Sequence, residues 1–364
     1  MQQIFQGIEH LREALNNSKK VLLVCDSSFR FLSIKEQVES IHIPYVQFSQ
    51  FSSNPLYEDV CSGVDIFNAE KCDTILAVGG GSSLDVGKCI KLFCKMPKDS
   101  LYLKQQFNDS GVKMIAIPTT AGTGSESTRF AVIYYGGEKQ SITHDSIIPD
   151  VAILEPRVLK TLPSYQKKCT LLDALCQGIE SWWSVNSTDI SKNYSKVAVE
   201  TIINNWQAYI FENDDEAAKV VMQAANLAGH AICITQTTAP HAFSYKLTSL
   251  FCLPHGHAVA ICLPEIWDYM LNHYELCIDK RGHSYLNNVF HDIALAMGQE
   301  NPIDAIQFFR YMLNELEINN PHAEDLEKNI NTLSYSVNPI RLRNNPVELN
   351  QKSIMDIYRN IVKK

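Results

Sequence analysis

In LLDALCQGIESWW, residues 171–183, Asp173 and Gln177 stand four positions apart. On a helix that spacing sets two side chains next to each other on one face. Further along, APHAFSYKLTSLFCLPHGHAVAICLPE carries His241, His255 and His257. A carboxylate, an amide oxygen and two imidazoles form a mixed nitrogen and oxygen donor set suited to a divalent transition metal such as Fe2+ or Zn2+. Spacing alone leaves another reading open, in which Asp173 and Gln177 belong to a polar stripe and the histidines are unrelated.

Two segments near the beginning suggest phosphate chemistry. VGGGSSLDVGKCI (78–90) puts consecutive glycines at the end of an apolar run and a serine pair at the start of a helical pattern. Glycines let a backbone approach a ligand closely, and the unpaired N–H groups of a helix start favour a phosphate. The spacing is not the strict G-x-G-x-x-G, so a plain steric turn stands beside the phosphate reading. IPTTAGTGSESTRFAVI (117–133) offers Thr119, Thr120, Thr123 and Ser125 in a glycine-containing loop after another apolar run. Hydroxyls at the carboxyl end of a strand suit a nucleotide crevice, with a polar surface loop as the alternative.

These segments need strands and helices to hold them. VLLVCD (21–26), YVQFS (45–49), TILAVGGG (74–81), MIAIPTT (114–120) and VAILEP (151–156) read as buried strands. Between the early ones lie stretches such as LYEDVCSGVDIFNAE with helical apolar spacing, and that alternation predicts a parallel sheet covered by helices. After LPSYQKK (162–168) nearly everything reads as helix. The expected organisation is an α/β domain over 1–160 and an all-α domain over 161–364.

Composition sets outer bounds. The chain has 364 residues, 45% of them hydrophobic, and a formal net charge of −8 without a polybasic block. That predicts a small-molecule enzyme with no nucleic-acid and no membrane partner. Eleven cysteines with no C-x-x-C pair imply neither a disulfide framework nor a zinc ribbon, and fit reduced thiols in a cytoplasm. The start, MQQIFQGIEHLREAL, has charges at helical spacing and no apolar signal-peptide region, and no run of eighteen apolar residues occurs, so a cytoplasmic location is expected.

Taken together and in this order, GGGSSLDVGK, PTTAGTGSE, DALCQGIE and PHAFSYKLTSLFCLPHGHAVA resemble the iron-containing (group III) alcohol dehydrogenase family. The resemblance implies a dinucleotide-binding N-terminal domain with a parallel sheet and an all-helical C-terminal domain, a plan shared with dehydroquinate synthases. It implies a divalent metal, Fe2+ or Zn2+, in the cleft between them, and NAD(H) or NADP(H) as cofactor. The family usually holds its metal with an aspartate, a histidine four residues later and two more histidines fourteen apart. Here those positions are Asp173, Gln177, His241 and His255. Gln177 is the departure, a neutral amide where relatives have imidazole.

By the same resemblance the cofactor diphosphate lies near Gly80, Gly81 and Ser82. The cofactor-binding set further takes in Asp26, Asp85, Thr119, Thr120, Thr123, Ser125 and Lys139. Asp26 ends the first strand, where a carboxylate accepts from a ribose and favours NAD, while Ser27, Ser28 and Arg30 leave room for an NADP phosphate. Tyr245 and Lys246 stand where many relatives place a histidine near the substrate. Tyr245 or His257 would pass a proton, with His257 alternatively a plain helix-start residue. A homodimer is expected.

DALCQGIESWWSVNST, SYKLTSLF and SVNPIRLRNNPV resemble the branch that includes phosphonoacetaldehyde reductases, which convert phosphonoacetaldehyde to 2-hydroxyethylphosphonate in phosphonate biosynthesis. Lys246, with Arg341 and Arg343 as further cations, then implies an anionic aldehyde substrate. The alternatives are a general alcohol or 1,2-diol dehydrogenase, a maleylacetate reductase, a cyclising lyase related to dehydroquinate synthase, and a metal-free binding protein.

Overall fold

The apolar runs pair side by side as the alternation predicts. The structure, a computed structural model, describes residues 2–364. Its strands are β1 (Gln3–Gln6), β2 (Val21–Cys25), β3 (Tyr45–Phe48), β4 (Thr74–Gly79), β5 (Lys113–Pro118), β6 (Phe130–Tyr135), β7 (Glu138–Thr143) and β8 (Val151–Leu154). Six form one parallel sheet in the order β1-β8-β5-β4-β2-β3. Every residue of β2 and β4 is buried, as expected for central strands covered on both faces. The chain leaves β2 toward β3 on one side and then returns to β4 on the other. The order therefore reverses between β2 and β4, and a crevice opens at their carboxyl ends.

Three strands lay outside the sequence reading. β1 falls in the stretch with charges at helical spacing, yet it adds an edge strand to β8, with Gln3 N–H donating to the Asp150 carbonyl at 2.9 Å. Its residues are mostly exposed, so no apolar pattern marks it. The segment 117–133 is loop only in its first part; from Phe130 it becomes β6, paired antiparallel with β7. The hairpin turns at Gly136 and Gly137, whose φ values of 60° and 79° are those a two-residue turn of this hand requires.

From Ser164 onward the long elements are helices: Ser164–Trp183, Asp189–Gln207, Asp215–Thr235, Ala239–Phe251, His255–Asn272, His283–Ala296, Pro302–Glu315, Leu326–Ser336 and Gln351–Ile361. Trp183, Trp267 and Phe290 anchor their core, with ring centroids of Trp183 5.5 Å from Trp267 and 5.9 Å from Phe290 in edge-on geometry. The chain divides into two compact units, Met1–Leu162 with Asn213–Gly229, and Pro163–Glu212 with His230–Lys364. A cut at residue 160 does not contain that return of 213–229 to the first unit. Asp215–Thr235 is long and apolar enough to cross a membrane by composition, but 61% of its apolar window is buried within the protein, as in a core helix.

Candidate metal centre and nucleotide loops

In the first unit the glycine-rich turn and the threonine loop follow adjacent strands and are tied together. Thr119 N–H donates to the Gly79 carbonyl at 3.0 Å, and a Cβ on Gly81 would lie 3.0 Å from Thr123 Cγ2. Gly80 caps the helix Gly81–Phe93, whose first N–H groups face outward from the carboxyl end of β4, where an anion is favoured.

Several expected cofactor residues are already engaged within the protein. Ser82 Oγ donates to the Ser53 carbonyl at 2.8 Å. Asp85 accepts from Ser125 Oγ at 2.7 Å and from Val132 N–H at 2.9 Å, so it fastens the threonine loop and β6 to the helix. Burial raises the Asp85 carboxyl above its ordinary range, opposed first by Lys88. Asp26 follows β2, accepts from Ser28 N–H at 2.7 Å and takes the Ser83 hydroxyl at 3.0 Å. Ser125 N–H donates to Thr123 Oγ1 at 3.3 Å. Thr119 is buried and Thr120 half-buried in the same loop, and Lys139 lies on β7 opposite Tyr134.

The second unit contains the candidate metal centre. Along Ser164–Trp183 the side chains of Asp173, Gln177 and Glu180 recur at i, i+4 and i+7 on one face, and they are 3%, 3% and 0% exposed. Three polar groups on the buried side of a helix demand partners. The helix Ala239–Phe251 brings His241 to them, and the helix His255–Asn272 begins with His255. One ligand atom each from Asp173, His241 and His255 lies within 4.8 Å of the others. Gly256 permits this approach, because a Cβ there would sit 2.0 Å from the Cys169 carbonyl oxygen.

His241 sits between two carboxylates. Its Nε2 is 3.3 Å from Asp173 Oδ1, and its Nδ1 is hydrogen-bonded to Glu180 Oε1. Burial pulls the His241 pKa down, but the Glu180 and Asp173 charges outweigh it and hold the ring up to about 9. Burial would raise Asp173; the His241 and His255 rings and a hydrogen bond from Gln177 reverse that and keep its carboxyl low. Apart from the 3.3 Å approach of His241 Nε2, buried Asp173 Oδ1 has no hydrogen bond of good geometry, and a cation would satisfy it. His255 Nδ1 is 3.4 Å from Ser244 Oγ, whose proton goes to the His241 carbonyl at 2.8 Å. Nδ1–H of His255 then points at Ser244. One carboxylate and two imidazole nitrogens converging in this way fit a divalent transition metal.

Tyr245 stacks on His255, with ring centroids 6.0 Å apart and planes 6° from parallel. Burial raises its phenol pKa, and the charge of Arg341 opposes the rise. Arg341 and Lys246 are half-buried and Arg343 is exposed. His257 is turned elsewhere: Nε2 lies 2.8 Å from the Asn319 carbonyl and Nδ1 2.7 Å from Tyr165 Oη. With both ring nitrogens engaged and the side chain 4% exposed, His257 links three segments of the fold. Glu180 escaped the sequence reading. Its signal was its place seven residues after Asp173, on the same buried face.

A parallel α/β unit with two phosphate-type loops, joined in one chain to a helical unit with a buried aspartate–histidine–histidine cluster, defines a nucleotide-linked metalloprotein class. Sequence models of the families described as "Iron-containing alcohol dehydrogenase" and "Fe-containing alcohol dehydrogenase family, C-terminal" match residues 2–156 and 168–362. The chain belongs to the iron-containing alcohol dehydrogenase family.

Among relatives, it is 32% identical over 259 residues to phosphonoacetaldehyde reductase of Streptomyces viridochromogenes, covering 67% of this chain and 65% of that protein. It is 30% identical over 284 residues to aldehyde-alcohol dehydrogenase 2 of Entamoeba histolytica, covering 72% of this chain and 32% of that protein. Each match thus spans less than two thirds of the relative's length. A solved 1,3-propanediol oxidoreductase superposes with a TM-score of 0.88 at 26% identity, covering 99% of this chain and 97% of that one.

Proposed function

We propose that this protein is a metal-dependent, NAD(P)H-linked reductase of a small aldehyde bearing an anionic head group, with phosphonoacetaldehyde its foremost substrate and 2-hydroxyethylphosphonate the product. The observation that carries the reading is the convergence of Asp173, His241 and His255 in a chain of this family. Likeness to the Streptomyces reductase supports the phosphonate assignment, as do the half-buried cations Lys246 and Arg341.

A bound divalent metal supplies Lewis acidity toward a carbonyl oxygen, and a reduced nicotinamide supplies the hydride. Asp173, His241 and His255 hold the ion in this reading, while Gln177 holds Asp173 by a hydrogen bond and offers at most a weak amide donor. The backbone N–H groups after Gly80 and the hydroxyls of the threonine loop receive the cofactor, with Asp85 keeping that loop in place. Tyr245 Oη is the group suited to hand a proton to the nascent alcohol, since both nitrogens of His257 are engaged. Lys246 reads the anionic head group.

The test follows NADH and NADPH oxidation over a panel of phosphonoacetaldehyde, short neutral aldehydes and maleylacetate, with Fe2+ or Zn2+ restored to chelator-stripped protein. Turnover led by phosphonoacetaldehyde is expected. Turnover led by neutral aldehydes moves the protein to the general alcohol dehydrogenases, and metal-independent turnover ends the reading.

A further inference from the structure

We infer that Glu180 is a positioning residue for the metal centre: it fixes which nitrogen of His241 faces the ion and sets how tightly the ion is held. The inference rests on the reading of Asp173, His241 and His255 as ligands, and it adds a residue to which that reading gives no part.

Glu180 is 0% exposed, and each of its carboxylate oxygens has its own task. Oε1 takes the Nδ1–H of His241. Oε2 accepts the Thr238 N–H at 2.7 Å and the Thr238 hydroxyl at 2.9 Å. Thr238 is the N-cap of the helix that carries His241, and it makes no side-chain cap of its own. The carboxylate therefore serves as that cap and places its charge at the positive end of the helix dipole. Thr238 Oγ1 in turn accepts from Trp183 Nε1 at 2.8 Å, so its own proton goes to Glu180. The chain from Trp183 through Thr238 and Glu180 to His241 leaves no freedom in the direction of the proton on Nδ1. That nitrogen donates to Glu180, so Nε2, 3.3 Å from Asp173 Oδ1, is the nitrogen that gives up its proton and offers its lone pair when an ion binds.

A metal-ligating histidine usually donates its other N–H to a carboxylate or carbonyl, which fixes the tautomer and raises ligand basicity. Glu180 supplies this to His241. A buried carboxylate with no cation of its own is also unfavourable unless positive charge lies close by. Glu180 and Asp173 flank His241 from opposite sides and together favour an ion in the cage.

The experiment measures Zn2+ and Co2+ affinity of the chelator-stripped full chain by competition with a chromophoric chelator, beside the thermal midpoint of the metal-free form. His255→Ala is the reference for the ligand reading: if wild type binds no more tightly than His255→Ala, that reading fails, whatever Glu180 does. If wild type binds more tightly, Glu180→Gln is expected to weaken binding by about 10- to 100-fold. Thr238→Val removes the hydroxyl contact but leaves Glu180 against His241; it is expected to lower the metal-free midpoint with affinity held within about threefold, well short of an outer-ligand loss. Wild-type affinity in Glu180→Gln overturns the inference, and so does an equal loss in Thr238→Val, which would make helix capping the whole role. Should Glu180→Gln fail to fold, Glu180→Asp keeps the charge but shortens its reach, and unchanged affinity in that variant overturns the inference as well.

Discussion

Cys169 and Gly256 meet backbone against backbone: a Cβ on Gly256 would lie 2.0 Å from the Cys169 carbonyl oxygen and 3.0 Å from Asp173 Cβ. Gly256 separates His255 from His257, and Cys169 lies one helical turn before Asp173. This contact sets the distance between the helix bearing the carboxylate and the helix bearing the second imidazole. Gly256→Ala cannot relieve the clash by a rotamer change, so the helices must part. The expected result is a stability loss of about 1–3 kcal/mol together with weaker metal retention. Thermal melts and metal content after dialysis against chelator check it; a variant with wild-type values in both would show that the helices part without disturbing the site.

His255→Ala removes one of three converging ligands. Bound metal and turnover should both fall to background. Metal analysis of the purified variant beside its melting curve separates ligand loss from unfolding, and full activity in a chelated sample would remove the metal from the reaction.

How far the sequence reveals this arrangement depends on where each partner lies. The sheet is legible because its central strands are continuous apolar runs, and β1 is not because an exposed edge strand carries no such run. Asp173, His241 and His255 are singled out by the family resemblance of the segments that carry them, since their spacing alone left a polar-stripe reading open. Glu180 does not, because its role depends on Thr238 and His241 returning to it from about sixty residues away. The engagement of His257 was equally hidden, since its partners Tyr165 and Asn319 are 92 residues before and 62 residues after it.

Glu155 gives a pH signature that does not involve the metal. It is 2% exposed and accepts Ile8 N–H at 3.0 Å, Arg157 N–H at 3.0 Å and the Arg157 guanidinium at 2.8 Å on each oxygen. Burial would raise its pKa, but these bonds lower it below the ordinary 4.5. A folded-state pKa below the unfolded one stabilises the protein above the unfolded value, and the contribution is lost as pH falls through the folded value. Glu155→Gln should therefore cost about 1–3 kcal/mol at neutral pH and flatten the decline of the thermal midpoint below pH 4.5. Parallel wild-type and variant melts across that range check it; superimposable slopes would remove Glu155 as the cause.

Gln177 poses a question of ligand strength. Its amide is hydrogen-bonded to Asp173, and the family resemblance implies an imidazole at this position. An imidazole is the better donor to Fe2+ or Zn2+, so Gln177→His should retain metal about tenfold longer or more against a chelator. Chelator-competition rates decide the matter. Retention no better than wild type would mean that position 177 serves Asp173 and has no route to the ion.

The final prediction concerns what the substrate carries besides its aldehyde. Lys246 follows Tyr245, whose ring stacks on His255, and Arg341 is close enough to act on the Tyr245 phenol. Lys246 and Arg341 are half-buried cations, the burial of a charge is offset when an anion meets it, and a guanidinium fork matches phosphonate oxygens. Losing one charge-assisted contact to a dianion costs roughly 1.5–3 kcal/mol, or about ten- to a hundredfold in kcat/KM. Lys246→Ala should lose that much on phosphonoacetaldehyde and little on an uncharged aldehyde of similar length. The loss should shrink as salt is added, because an exposed part of the interaction is screened. Arg343 is exposed, so Arg343→Ala serves as a charge control with near wild-type behaviour on both substrates. Equal losses on the two substrates in Lys246→Ala, or a wild type that prefers the uncharged aldehyde, would show that no anionic group is read at this position.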